Sequence, residues 1–264
     1  MSMCSLPRVG HLRAQLRALA DMPDIRRVVV WIGDDEPPEL DAETVIRVPP
    51  GPEGLRLAAG RNAGAAAGAD ADLLVFLDAD CIPGPDLLRR YREAAGRHAD
   101  AVLCGPVTYL AQGVTASDPA DLVAYTSPHA ARPMPAEGAE RVATPAEYPL
   151  FWSLSFALTP ETWRRLGGFD EAYEGYGGED TDFAFRMRSR GVPLVWTGGA
   201  HAYHQYHPTT SPPWQHVDDI LRNGALFHQR WNEWPMTGWL EAFERGGAVV
   251  RDAAGWHRAD DIRS

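Results

Sequence analysis

The chain has 264 residues and a mass of 29.0 kDa, with 45% hydrophobic and 23% charged residues, an ordinary balance for a soluble globule with one large core or two small ones. Its formal net charge is −11, and every basic side chain is an arginine, because the sequence contains no lysine. These arginines are scattered among acids, which argues against a nucleic-acid surface, and no apolar run or basic leader points to a membrane span or a secretory signal, so a cytoplasmic location is expected.

Strand-like and helix-like patterns alternate from the start. Ser2–Leu6 reads as a short strand, and Leu12, Leu16 and Leu19 fall at helical spacing. Val28–Ile32 and Thr44–Val48 read as strands, Leu57–Ala67 as an alanine-rich helix, Leu73–Leu77 as a buried strand, and Leu87, Leu88, Tyr91 and Ala95 as one helix face. Such alternation predicts an α/β fold, a mostly parallel sheet with helices on both faces, and places ligands at the carboxyl ends of the strands. Asp34-Asp35 and Asp78-Ala79-Asp80 both lie at such ends. From Ala111 to Pro149 the periodicity fades among prolines and small residues, as in a lid or partner-facing loop. Phe151–Leu158 then reads as a strand, Pro160–Leu166 and Glu179–Arg190 as helices, Leu194–Trp196 as a strand, and the tryptophan-rich tail from Trp214 as helical. These shifts divide the chain at residues 1–110, 111–210 and 211–264.

Three stretches carry chemistry. Asp78 and Asp80, two apart, project the same way from a strand end and present hard oxygen donors suited to Mg²⁺ or Mn²⁺; a turn acid capping the next helix is the simpler alternative. In Gly175-Tyr176-Gly177-Gly178-Glu179-Asp180-Thr181-Asp182 the glycines allow close backbone approach to a ligand. The acids fall at the first turn of a helix, as caps or as a general base for an incoming hydroxyl. In His201-Ala202-Tyr203-His204-Gln205-Tyr206-His207 the spacing does not bring three imidazoles onto one ion, though one of them could bind. Cys4, Cys81 and Cys104 are odd in number and lack paired ligand spacing, which supports neither a disulfide framework nor a zinc site.

Together these stretches give a resemblance. GRNAGAAAGADADLLVFLDADCIPG at Gly60–Gly84, LGGFDEAY at Leu166–Tyr173, GYGGEDTDFAFRMRSRG at Gly175–Gly191 and AYHQYHP at Ala202–Pro208 resemble the family 2 glycosyltransferases of the GT-A fold. The second half is similar to the catalytic segment of the galactosyltransferase and polypeptide N-acetylgalactosaminyltransferase families. The resemblance spans roughly residues 25 to 210 and implies a Rossmann-like sheet with a smaller acceptor-side subregion. It implies an inverting, metal-dependent transfer of a sugar from a nucleotide sugar, most often a uridine diphosphate sugar, to the hydroxyl of a carbohydrate, lipid, small-molecule or peptide acceptor.

Carried onto this sequence, the resemblance implies that Asp34 or Asp35 binds the nucleotide base, and that Arg61 and Asn62 lie near the nucleotide and its diphosphate. Asp78 would face the ribose or the metal's water shell. Asp80 would ligate Mn²⁺ or Mg²⁺ together with His204, His201 and His207 being the alternatives. Asp180 would be the general base, and Glu179 and Asp182 would position acceptor hydroxyls or support the loop. Trp152 and Tyr176 would offer apolar faces to a sugar ring, with Gly178 giving the backbone access. The start of the chain departs from the pattern, since SMCSLPRVGHL stands where relatives commonly read like VSVVIPTYNR. A catalytically inactive sugar-nucleotide or glycan-binding module is the alternative, and a two-metal phosphohydrolase ranks below it for want of a second carboxylate-histidine cluster.

Overall fold

The computed structural model describes residues 1–115 and 118–259. The elements run β1 (Ser2–Cys4), α1 (Val9–Leu19), β2 (Val28–Ile32), β3 (Thr44–Val48), α2 (Leu57–Ala67), β4 (Leu74–Asp78), β5 (Cys81–Pro83), α3 (Leu87–Arg97), β6 (Val102–Cys104) and β7 (Val107–Tyr109). They continue with β8 (Glu140–Val142), β9 (Ser155–Leu158), α4 (Pro160–Leu166), α5 (Glu179–Ser189), β10 (Leu194–Thr197), β11 (Ala202–His204), α6 (Val217–Trp231), α7 (Thr237–Arg245), β12 (Val249–Asp252) and β13 (Gly255–Arg258).

An eight-stranded sheet in the order β3-β2-β1-β4-β9-β6-β10-β8 forms the spine. Its first four strands are parallel, β9 runs against both β4 and β6, and β6 and β10 are parallel again. Strand β2 reads VVVWI and is buried along its whole length, as expected for a β-branched run covered on both faces. The weakly patterned β1 is only three residues long, yet it pairs with β2 and β4 at the sheet's middle, Ser2 lying opposite Val29 and Leu77. Tertiary pairing on both sides makes up for its weak local signal.

Helix α2 is rich in alanine and glycine because it lies almost on the sheet. A Cβ added at Gly60 would stand 2.9 Å from Ile32 Cδ1 and 3.1 Å from Met3 Sδ. On the β9 side, Phe76 stacks on Phe156 at 4.4 Å and Phe169 on Phe183 at 4.2 Å, fastening β4, β9 and α5 into one aromatic core.

The segment expected to be an unstructured lid is tied down at several points. β8 pairs antiparallel with β10, 3₁₀ turns run over Pro119–Tyr125 and Pro145–Leu150, and Tyr148 donates to Val192 O at 2.9 Å. A second, three-stranded sheet, β5-β11-β7, stands beside the main one. The tail contains the expected helices and, in addition, the β12–β13 hairpin. The Asp252 carboxylate accepts from Ala254 N (2.8 Å) and Gly255 N (3.2 Å) and closes its turn. No helix among the described residues is long and apolar enough to cross a membrane.

Candidate active site

The opening acid pair sits where β4 gives way to β5. Asp78 is the last residue of β4, Asp80 lies in the turn, and β5 pairs antiparallel with β11 so that Cys81 lies opposite His204. That register brings a histidine more than a hundred residues away to the turn acid. His204 Nε2 lies 3.5 Å from Asp80 Oδ1, and His207 Nε2 lies 3.6 Å from Asp80 Oδ2. The ligand atoms of Asp80, His204 and His207 all lie within 4.8 Å of one another. His201 goes elsewhere: its Nε2 lies 2.7 Å from Thr108 Oγ1, and burial lowers its pKa to about 4. Of the three histidines left open by the sequence, the structure groups two with Asp80.

Electrostatics at this end favour metal binding. Burial pushes the Asp80 pKa upward, but the His207, His204 and Arg8 side chains around the carboxylate outweigh it, and the carboxyl lies below its ordinary range. Burial lowers the pKa of His204, with Asp80 opposing, which favours the neutral, metal-binding imidazole. The exposed ring of Tyr109 covers His204 at 4.6 Å.

The other end is built around Arg61. This arginine, on α2, is 3% exposed and reaches Glu179 Oε1 through Nη1 at 3.0 Å and Asp78 Oδ1 through Nη2 at 3.4 Å. One buried guanidinium therefore joins the strand acid to the acid at the start of α5. Asp78 is raised to about 7, first by burial and then, against Arg61, by Asp80 and Glu179. Asp180 is also raised to about 7, by burial and by repulsion from Glu179, although it accepts from Thr181 N at 2.7 Å. Carboxyls shifted this far and gathered together are what general acid–base chemistry requires.

The glycine loop holds α5 in place. Gly175, Gly177 and Gly178 have φ of 71°, 85° and 95°, a region that favours glycine. A Cβ at Gly178 would meet Tyr173 at 3.1 Å and Asn223 at 3.3 Å. Asn223, buried on α6, donates Nδ2 to Glu174 O (2.9 Å) and Gly177 O (2.8 Å) and fixes the loop from behind. Tyr176 is half-exposed, stacks on His216 at 4.3 Å and feels the charges of Asp180 and Glu179, which add to burial in pushing its hydroxyl up to about 12.

The remaining expected residues lie in different settings. Asp34 and Asp35 are exposed at the end of β2, where Trp31 Nε1 donates to Asp35 O at 2.9 Å. The Asn62 side chain bonds Phe169 N (2.8 Å), Phe169 O (2.9 Å) and Glu171 Oε1 (2.9 Å), so its amide clamps the LGGFDEAY segment. Asp182 is fully buried and engaged by Tyr173 OH (3.3 Å), Trp231 Nε1 (2.8 Å) and Arg186 Nη2 (2.8 Å), an anchor beneath the loop. Trp152 is half-buried, with His129 edge-on at 4.9 Å and the Arg132 guanidinium 5.4 Å from its ring. Arg8, Tyr109 and Asn223 escaped the sequence reading. Nothing local distinguishes them, and only chain packing carries them to the site.

Comparison with known proteins gives a consistent picture. Residues 33–137 match the profile described as glycosyl transferase family 2, and residues 135–208 match that described as the N-terminal domain of galactosyltransferase. Validoxylamine A glucosyltransferase of Streptomyces hygroscopicus subsp. jinggangensis is 28% identical over 165 residues, covering 54% of this chain and 37% of its own length. Human beta-1,4-galactosyltransferase 3 is 40% identical over 47 residues, 18% of this chain and 12% of that protein. The chain thus spans well under half the length of the curated relatives it matches. The S. aureus TarS 1–349 structure in complex with UDP-GlcNAc has a similar fold, with TM-score 0.57 and 13% identity over 91% of this chain and 69% of that one.

Proposed function

The chain belongs to the family 2 glycosyltransferases with the GT-A fold, and from that premise we propose that it transfers a hexosyl or N-acetylhexosaminyl group from a uridine diphosphate sugar to an acceptor hydroxyl, with inversion. The observation that carries the reading is the meeting of two different carboxylate environments: Asp80 among histidines, and Asp180 beside Glu179, joined through Asp78, Arg61 and Glu179.

On this reading Asp80, His204 and His207 hold a divalent ion. One carboxylate and two imidazoles suit Mn²⁺ better than Mg²⁺, which favours all-oxygen shells. An ion held there would supply positive charge for a departing diphosphate. Asp34 or Asp35 meets the base, and Asp78 meets the ribose. Arg61 pairs with both Asp78 and Glu179 and so holds the strand acid beside the acid that opens α5. Asp180 takes the acceptor's proton as its oxygen attacks the anomeric carbon on the face opposite the leaving group, so configuration inverts. A carboxylate raised toward neutrality suits that task, being a better proton acceptor than an ordinary one. Tyr176 and the backbone at Gly178 line the acceptor's approach, Trp152 flanks it, and Glu179, Asn62 and Asp182 hold the loops in register. Residues 1–110 thus bind the donor, 111–210 supply catalysis, and the tail from residue 211 braces the acceptor loop.

A thermal-shift panel of nucleotide sugars, with and without Mn²⁺, tests the proposal. Uridine diphosphate sugars should stabilise the protein only when Mn²⁺ is present. Equal stabilisation by every nucleotide, or none by any of them, would remove the donor assignment.

A further inference from the structure

Arg8 stands in the metal cluster without a task in the chemistry above. It ends the 3₁₀ turn Leu6–Arg8 that joins β1 to α1, and its Nε lies 3.6 Å from Asp80 Oδ2. His207 Nε2 lies 3.6 Å from the same oxygen. The Arg8 side chain is 36% exposed and that of Asp80 13%, so the guanidinium remains accessible from outside while resting on the acid. Among the ion pairs of the described residues, Asp80 is the carboxylate that Arg8, His204 and His207 share. The nearby Asp78 is already engaged by Arg61.

This arrangement creates a conflict of charge. A divalent ion on Asp80 Oδ2 and a guanidinium on the same oxygen would compete for its lone pairs and repel one another. Together with the one carboxylate they leave a local charge of about +2, which calls for an anion. An arginine suits that anion when it is a phosphate, because its planar fork makes paired charge-assisted hydrogen bonds.

Resting on the metal and donor reading above, we propose that Arg8 is a stand-in cation: it occupies Asp80 in the empty protein, yields to the divalent ion, and then binds the donor's diphosphate. Arg8 therefore has opposite effects on the two ligands. It opposes the metal when the metal binds alone, and it favours the metal when a diphosphate is present. The two ligands are thereby coupled, and each must strengthen the other by the same factor.

Calorimetric titration of Mn²⁺ into the wild type, Arg8→Gln and Arg8→Lys, with and without saturating uridine diphosphate, tests this. In Arg8→Gln, Mn²⁺ alone should bind about two- to fivefold more tightly, the scale of a partly exposed ion pair lost. The gain in Mn²⁺ affinity on adding uridine diphosphate should shrink by about tenfold or more, the scale of a lost charge-assisted hydrogen bond. Arg8→Lys keeps the charge and should bind Mn²⁺ alone like the wild type, while recovering only part of the diphosphate gain. A purely structural role would weaken both titrations together. In Arg8→Gln, unchanged or weaker binding of Mn²⁺ alone, or an intact uridine diphosphate gain, overturns the proposal; should that variant not fold, a full diphosphate gain in Arg8→Lys does so. If the wild type binds no Mn²⁺ in either condition, the metal assignment falls and this proposal with it, whereas a coupled wild type with an indifferent Arg8→Gln sinks this proposal alone.

Discussion

Asp80 and Asp180 are both acids withdrawn from water at the two ends of one line of charge, yet their protons are held in opposite ways. Around Asp80 stand His204, His207 and Arg8, and the carboxyl is pushed below its ordinary range. Around Asp180 burial and Glu179 act together, Arg61 and the bond from Thr181 compensate only in part, and the carboxyl is raised to about 7. Burial acts alike on both, so the sign of the shift is decided by neighbours. On the proposed reading, a site that holds a cation at one end and takes a proton at the other needs that asymmetry, and here it comes from side chains on β11 and just after it, on the turn between β1 and α1, and on α2.

The comparison can be broken from either end. The largest effect is expected for Asp180→Asn, which should keep donor binding but lower transfer by about 10²–10⁴-fold, the usual cost of losing a general base; turnover near that of the wild type would reassign the base. Arg61→Met removes the shared cation and leaves Asp78 and Glu179 buried without it. Loss of about 3–5 kcal/mol of stability is expected in urea unfolding. A loss below about 1 kcal/mol would mean that the two acids do not depend on Arg61.

Asp80→Ala should weaken Mn²⁺-dependent binding of uridine diphosphate by at least about tenfold, and chelation should do the same to the wild type. Metal-independent binding of equal strength would exclude Asp80 as a ligand. The pH profile sharpens the contrast further. Asp180 acts as a base only when ionised, so kcat/KM should climb as pH rises toward about 7 and then level, and Asp180→Asn should abolish that limb. Stability runs the other way. For Asp78 and Asp180 the folded pKa exceeds the unfolded one, so their contribution is present below about pH 4 and lost as pH rises through about 7. Asp80, with its lowered pKa, contributes above that range and loses its contribution on acidification. Thermal unfolding between pH 4 and 8 should therefore show a downward slope that Asp180→Asn reduces, and an unchanged slope would count against the raised pKa. The smallest effect is expected for Asn223→Ala, which frees the carbonyls of Glu174 and Gly177. It should cost about 1–3 kcal/mol and raise the acceptor KM more than it lowers kcat.

Much of the fold was legible because its elements carry their own signals. β2, β3, α2 and α4 lie at the bounds that hydrophobic runs and breakers suggest, β4 is shifted by one residue at each end, and α5 ends one residue early. The short strands β5, β6, β7, β8 and β11 were not legible. Three residues carry too little periodicity, and each becomes a strand only because a partner edge satisfies its backbone. The β12–β13 hairpin was missed for a similar reason, since Trp256 is drawn inward by a small core with Val217, Ile220 and Phe243 and the hairpin has no alternating pattern of its own.

The site was legible unevenly. Asp80 and His204 lie together, but spacing alone could not tell that His207 joins them while His201 turns to Thr108. For Asp182 the sequence left two roles open, positioning an acceptor hydroxyl or supporting the loop, and in the structure Tyr173, Trp231 and Arg186 enclose it beneath the loop.

By itself the sequence determined which residue types stand at strand ends and helix starts: acids at and just after the end of β4, glycines before α5 and acids in its first turn, histidines on and around β11. Those are local matters, set by the bonded neighbours and the periodicity of the chain. What each of those groups does was decided by tertiary structure, because a carboxylate's charge state depends on what lies within a few ångströms of it in space. Arg61, Arg8 and Asn223 reach the site from α2, from the turn after β1 and from α6, and no separation along the chain encodes those meetings.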